Sequence, residues 1–550
     1  MLADNDFIVT GRIESLQDGI FICSGLNQCF VGEVIVFGNM LSDLRGIVMD
    51  ITQSVVKIVH LSGEFKKGKV GDIAYRTYHS FTTIAGFGVL GLALSILGEC
   101  LNVDDLSKDD FSKHVMNLVM IPVAARAPSI TMREPVRIPV YTGVTSIDTL
   151  IPVGKGQREL LIGDKGVGKT TLALTIILNQ RRFNNLSCRR RSEIEAGYLG
   201  YSRNFVPCFY VTIGQRRVEV ARLKNLLLKN EALYYTCIVY AGCDAPAAVQ
   251  YMAPYTACAM GEWFRERSYG AIIVYDDLTQ HAIAYRQMSL LLRRPPGREA
   301  YPGDIFYIHS KLLERAAQLS NILGGGSLTA FPVIETKSGD ISAYIPTNVI
   351  SITDGQVFLS KEIMNKGIRP AVNSKLSVSR VGAAAQVPSM SYVSKSLKRL
   401  YSMYKRYEGI DRLGGDVDSF VMEYLIRGRN IDRFFIQPAY KTRKSFYSIV
   451  PIFLLCSGVI DAIKSLWITA YFKLILSKKV MCFFSSMVKV DFLFNSPVLE
   501  SLVESEPFDL LESSVKDLSV ATPDIFNKLV SFSNDADVSK YFFNKLIINK

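Results

Sequence analysis

"ELLIGDKGVGKTTLALTIILNQ", residues 159–180, decides the fold. The apolar run Glu159–Ile162 reads as a buried strand, and Gly163–Thr170 fits the G-x-x-x-x-G-K-[ST] pattern at every fixed position. The Leu- and Ile-rich run that follows reads as a helix. Such a loop lets backbone N–H groups converge on phosphate oxygens, and the helix N-terminus adds a favourable dipole. Lys169 is spaced to reach terminal phosphates and Thr170 to offer a hydroxyl to Mg2+. The rival reading is an accidental Gly-rich turn; the flanking strand and helix and a second motif weigh against it.

That second motif is "GAIIVYDDL" (270–278), a buried strand running into Asp276. A strand-terminal carboxylate is how phosphate-loop proteins hold Mg2+ through water. A lone strand-end Asp is more often a turn former or cap, but its distance downstream on another strand favours the metal role. Asp277 could equally cap the next helix. "CFYVTIG" (208–214) and "YYTCIVYAG" (234–242) are further buried strands, and strands alternating with helical sequence imply a parallel α/β sheet. In "VTIGQRR" (211–217), Gln215 stands where a nucleotide-hydrolysing site would place a carboxylate to orient water.

Upstream, "DGIFIC", "GEVIVFG", "RGIVMDI", "SVVKIVHL" and "GDIAYRT" are short strands separated by turn residues, the pattern of a small barrel or sandwich over residues 1–80. The glycine-bearing apolar segment 81–98 and the segment 446–476, broken by Pro451, Asp461, Lys464 and Lys473, read as buried rather than membrane-spanning. Residues near 99–120 read as a linker and 187–205, "SCRRRSEIEAGYLGYSRNF", as a polar surface insert. The N-terminus carries acidic residues and resembles neither a signal nor a transit peptide. Beyond residue 386, charged–apolar periodicity such as "SKSLKRLYSMYKRYE" predicts helices. The expected organisation is therefore an N-terminal β-barrel over 1–80, a phosphate-loop α/β domain over 81–386 and a divergent helical domain over 387–550.

Composition limits the alternatives. The chain has 550 residues, 49% of them hydrophobic and 21% charged, which implies several globular domains. Its net charge of +12 is scattered without aromatic-interleaved basic motifs, so nucleotides or acidic partners account for it better than nucleic acid. The 10 cysteines and 5 histidines show no metal-ligand spacing, so no structural metal is inferred.

Three longer stretches carry a resemblance. "YDDLTQHAIAYRQMSLLLRRPPGREAYPGDIFYIHSKLLERAAQL" (275–319), "GGGSLTAFPVIETKSGDISAYIPTNVISITDGQVFL" (324–359) and "GIRPAVNSKLSVSRVGAAAQ" (367–386) closely resemble the alpha subunits of F-type ATP synthases. "MREP", "IPVGKGQREL" and, farther on, "GGDVDS" belong to the same likeness. The resemblance implies a small β-barrel, a RecA-like phosphate-loop domain and a C-terminal helical bundle. It implies an alternating hexamer with beta subunits around a gamma shaft, with peripheral-stalk contacts and membrane association only through the complex.

It also implies roles. Gly163, Asp164, Lys165, Gly166, Val167, Gly168, Lys169, Thr170 and Thr171 would bind the phosphates of ATP, with Gln215 nearby. Thr170 and, through water, Asp276 would hold Mg2+. Arg369, Pro370 and Gln437 match the base pocket. Gln215 is the alpha choice where beta has a catalytic Glu, so the nucleotide here is expected to be structural or regulatory. Arg380 matches an arginine finger for the beta site, with Ser377 and Ser351 at the same interface. Lys165, Gly166 and Val167 depart from the family's R-Q-T, removing a side-chain amide from the loop, and "IQPAY" (436–440) departs from K-Q-G-Q-Y. The missing presequence and the Lys-, Asn-, Phe-, Ile- and Tyr-rich composition favour an organelle-encoded subunit on the matrix side of the mitochondrial inner membrane; a bacterial inner-membrane enzyme is the alternative. A catalytic ring ATPase would need a carboxylate at 215, and a hexameric nucleic-acid translocase would need basic stacking surfaces on the barrel.

Overall fold

The structure, a computed structural model, describes residues 10–17, 19–38, 44–61, 69–101, 118–187, 204–411, 419–444 and 448–456. The insert at 187–205, the linker near 99–120 and the sequence past 456 therefore fall wholly or mostly outside the described residues.

The protein divides into two compact units. The first holds residues 1–142, 153–364 and 371–384. It opens with a closed barrel of β1 (Thr10–Gln17), β2 (Ile20–Ser24), β3 (Glu33–Phe37), β4 (Arg45–Ile51), β5 (Val56–His60) and β6 (Ile73–Ser80), ordered β1-β2-β5-β4-β3-β6. Alternating side chains fill its interior: Ile13, Phe21, Cys23, Ile35, Phe37, Val48 and Ile58 are buried together. One charged pair is buried too, the Arg76 guanidinium donating to both Glu33 oxygens at 3.0 and 2.9 Å. Closure leaves no edge open to pairing.

The segment 81–98 is built into this unit, as its interrupted apolar pattern implies. β7 (Thr82–Ala85) pairs with β9 (Val119–Pro122), and β8 (Ala93–Leu94) joins the main sheet. Phe87 between them packs edge-on against Trp263, Phe264 and Tyr269. No helix among the described residues is long and apolar enough to cross a membrane. A short pair, β10 (Pro139–Val140) and β11 (Val153–Gly154), leads into the sheet's central strands.

The main sheet runs β18-β17-β12-β16-β15-β13-β14-β8. It is built from β12 (Glu159–Asp164), β13 (Cys208–Gln215), β14 (Thr236–Gly242), β15 (Gly270–Asp276), β16 (Ser327–Thr336), β17 (Gly355–Leu359) and β18 (Val378–Ser379). All neighbours are parallel except β17 and β18. The near-continuous burial of β13, β15 and β16 explains their unbroken apolar runs: strands covered on both faces cannot alternate. The C-terminal ends of β12, β13 and β15, where ligands of such sheets sit, carry Gly163, Gln215 and Asp276.

The second unit gathers residues 143–152, 365–370 and the described residues from 385 on. Its described helices are Thr145–Leu150, Pro388–Asp411, Ser419–Phe435 and Ile449–Cys456. Leu397, Leu400, Leu425, Ile431, Phe434, Ile452 and Leu455 form its core. Gly428 lets two helices meet, since a Cβ there would lie 2.0 Å from the Tyr404 ring. The Tyr401 and Tyr404 hydroxyls both donate to Asp432, at 2.6 and 2.9 Å. Barrel, parallel sheet and helical unit together bear out the expected fold class.

Candidate functional site

The loop after β12 is shaped by two glycines in the left-handed region, Gly166 at φ +81° and Gly168 at φ +98°. A Cβ at either position would meet nothing within 4 Å, so the backbone turn, not crowding, requires glycine there. Asp164 is an anchor: its Oδ1 accepts from Thr336 Oγ1 at 2.6 Å and from the Gly339 N–H at 2.7 Å, tying the loop to the end of β16. Val167 is buried while Lys165 is exposed. The departure from a polar residue at 167 thus places an apolar side chain under the loop. Thr171 accepts from the Thr175 hydroxyl through its carbonyl, inside the first helical turn.

Lys169 is 8% exposed and its ammonium donates to the Gly163 and Asp164 carbonyls, both at 2.7 Å. Burial pulls it below the ordinary lysine range, against the pull of Glu335, Asp277, Asp276 and Asp164. An anion entering the loop would replace those carbonyl contacts with charged ones.

Asp276, at the end of β15, is almost fully buried and receives three hydrogen bonds on one oxygen. Thr170 Oγ1 donates to its Oδ2 at 3.1 Å, Gln215 Nε2 at 2.9 Å and the Tyr210 hydroxyl at 2.5 Å. Asp277 caps the helix Leu278–Leu291 by accepting from the Thr279 N–H. Burial, and then Asp276 beside it, push its carboxyl up to about 7. A hydroxyl and a carboxylate meeting beside a phosphate-shaped loop form a hard-oxygen set that fits Mg2+ rather than a softer metal. Among the described residues no group of three His, Cys, Asp or Glu side chains could hold a metal unaided.

The segment around Arg380 follows edge strand β18, two strands from β12 in the sheet order. Its N–H donates to the Asp354 carbonyl at 2.9 Å, and Asp354 in turn takes a two-pronged ion pair from Arg158. The exposed Arg380 guanidinium reaches the Thr353 and Ile350 carbonyls at only 3.3 and 3.5 Å. Ser351 sits between those two carbonyl residues, exposed, its hydroxyl donating to Asn348 O at 2.6 Å. Ser377 faces inward instead: it is buried and accepts from the Phe358 N–H at 2.9 Å. Arg380 thus reaches the carbonyls on either side of Ser351, both residues being exposed, while Ser377 is buried against the Phe358 N–H of β17.

Arg369, Pro370 and Gln437 fall in the second unit. The Gln437 N–H donates to the Arg369 carbonyl at 2.7 Å. Its side chain is buried, with Nε2 donating to the Gly143 and Lys441 carbonyls and Oε1 accepting from the Thr145 N–H. Both hydrogens of that amide are committed to backbone, so it staples three segments together. Arg369 is exposed.

Sequence reasoning missed Tyr210 and Glu335. The available signal for Tyr210 was its hydroxyl inside the buried strand "CFYVTIG", because a buried phenol needs a partner. Glu335 acts on Lys169 through charge alone, which no spacing reveals.

Residues 143–379 match the model of the ATP synthase alpha/beta family nucleotide-binding domain. Residues 386–481 match the model of the C-terminal domain of ATP synthase alpha/beta chains. The protein is 46% identical over 430 residues to the ATP synthase subunit alpha of Anaplasma marginale (strain Florida), covering 78% of this sequence and 80% of that one. It is 45% identical over 453 residues to that of Anaplasma phagocytophilum (strain HZ), covering 82% and 85%. For the subunit of Orientia tsutsugamushi (strain Boryong) the identity is 43% over 453 residues, covering 82% and 84%.

Proposed function

The chain belongs to the alpha subunits of the F-type ATP synthases, and from that premise we propose that it holds Mg-ATP without hydrolysing it and completes the catalytic site of a neighbouring beta subunit. The observation that carries this reading is the Gln215 amide, which donates to Asp276 Oδ2. An amide can hold water or a carboxylate in place but cannot take a proton from the attacking water. A glutamate in the same position would set a second carboxylate against Asp276.

In this reading Lys169 and the loop N–H groups hold the phosphates, and Thr170 and Asp276 hold Mg2+, the latter through water. When bound, the cation neutralises phosphate charge. Arg380 is supplied in trans: exposed, permanently charged and bonded only at 3.3 and 3.5 Å, it can be withdrawn from its carbonyls by a neighbour's phosphoryl group. Ser351 lies between the carbonyls that Arg380 reaches, and Ser377 ties the segment to β17 through the Phe358 N–H.

The partners proposed are beta subunits in an alternating hexamer, the gamma shaft and the peripheral stalk. Contact with the membrane comes only through that assembly, and no nucleic acid is involved. Of the barrel's aromatics, Phe21 is 3% exposed and packs inside against Phe37, whereas Phe30 and Tyr78 are exposed. Composition favours the matrix face of a mitochondrial inner membrane, whereas the bacterial relatives favour the cytoplasmic face of a bacterial one.

The test is direct. The purified full-length protein, assayed alone, should bind Mg-ATP in equilibrium dialysis yet release phosphate no faster than its Lys169→Ala variant. Turnover above that control by the isolated subunit would overturn the reading.

A further inference from the structure

Asp276 carries more donors than metal binding requires. Thr170 and Gln215 reach its Oδ2 from the loop and from the end of β13, and the Tyr210 hydroxyl reaches the same oxygen from within β13 at 2.5 Å. Tyr210 is fully buried and Asp276 nearly so. Among the described residues, no hydrogen bond is made to Asp276 Oδ1. The carboxylate torsion of an aspartate is broad and roughly two-fold, so its two oxygens exchange readily unless something discriminates between them. A short, charge-assisted O–H···O bond from a buried phenol is the strongest of the three discriminators.

We propose that Tyr210 is a positioning residue for Asp276: with Gln215 it pins Oδ2, so that Oδ1 is the oxygen presented to the Mg2+ of a bound nucleotide. The inference rests on the Mg-ATP reading above and deepens it. Tyr210 itself touches neither metal nor nucleotide. It acts by setting which way a carboxylate faces, and so it should govern the metal-dependent part of nucleotide affinity and no other part. The phosphate cradle, made by backbone N–H groups and Lys169, does not depend on it.

The experiment titrates the full-length protein with a fluorescent ATP analogue, once with Mg2+ and once with EDTA, and takes the ratio of the two dissociation constants. Tyr210→Phe should reduce the affinity gained from Mg2+ about tenfold, while affinity in EDTA stays at the wild-type value. Tyr275→Phe removes a buried hydroxyl from the neighbouring strand that makes no bond to Asp276, and it should leave the ratio unchanged. Site-specific 3-fluorotyrosine at 210, which keeps the hydroxyl, should retain the wild-type ratio. An unchanged ratio in Tyr210→Phe would overturn the proposal. So would an equal loss with 3-fluorotyrosine or Tyr275→Phe, which would assign the effect to packing. If wild type itself gains nothing from Mg2+, the Mg-ATP reading fails instead.

Discussion

Lys169 and Arg380 are two cations of one compact unit held in opposite ways. Lys169 is buried at the start of the helix Lys169–Ser187 that follows the loop after β12, its ammonium 2.7 Å from two carbonyls of its own loop. Arg380 is exposed past edge strand β18 and reaches its nearest carbonyls at 3.3 and 3.5 Å, where a hydrogen bond is weak. A cation enclosed by its loop can act only on what enters that loop. An exposed one, aimed by its backbone but loosely bonded at its tip, can leave for an acceptor that another molecule brings. The difference separates nucleotide holding from assistance to a neighbour, and mutation should separate them too.

The largest effect should come from the exposed cation. Arg380→Ala, assembled with beta subunits, is expected to lose about 10³-fold or more in ATP hydrolysis, the scale of a trans-supplied arginine finger. Subunit stoichiometry should be intact, because the segment keeps its backbone bond to Asp354 at 2.9 Å when the guanidinium's longer bonds at 3.3 and 3.5 Å are lost. A hydrolysis rate within tenfold of wild type in that hexamer would erase the contrast.

The enclosed cation should show the opposite pattern. Lys169→Ala removes charge-assisted bonds to phosphate worth roughly 2–3 kcal/mol, or about 30- to 150-fold in the subunit's own nucleotide affinity. Hydrolysis by the assembled hexamer should fall much less. Equilibrium dialysis on the isolated subunit and a steady-state assay on the hexamer make the comparison; equal losses in both would show that the two functions are not separable.

What could be read beforehand divides along similar lines. The loop 163–170 was legible because its chemistry is local: glycines at fixed spacing turn one stretch of backbone, and the strand and helix flanking it announce themselves by hydrophobic pattern. Asp276 was legible as a strand end and Asp277 as a helix cap, since both roles are set by immediate neighbours. Tyr210 was not, because its partner lies 66 residues away on another strand. Gln437 matches a base-contacting motif in sequence, yet its amide is committed to carbonyls that include one 294 residues distant. The segments 143–152 and 365–370 group with the helical unit although both lie within the stretch expected for the α/β domain. The order of residues alone does not disclose such returns.

The smallest effects test whether the surface around Arg380 is offered or merely built. Ser351 and Ser377 both belong to the segment matched to the subunit interface, but one faces solvent and the other the interior. Ser377→Ala removes the acceptor of the Phe358 N–H, which is buried on β17, and an unsatisfied buried donor costs roughly 1–3 kcal/mol. The variant should therefore melt several degrees below wild type. Ser351→Ala deletes an exposed hydroxyl that bonds only its own helix, so its melting point should stay within about 0.5 kcal/mol of wild type in equivalent stability. Any loss of hexamer hydrolysis in Ser351→Ala would then be a direct effect at the surface Arg380 shares. A melting point depressed as far as that of Ser377→Ala would instead make Ser351 part of the support, and would leave Arg380 as the one group of the three that the segment offers outward.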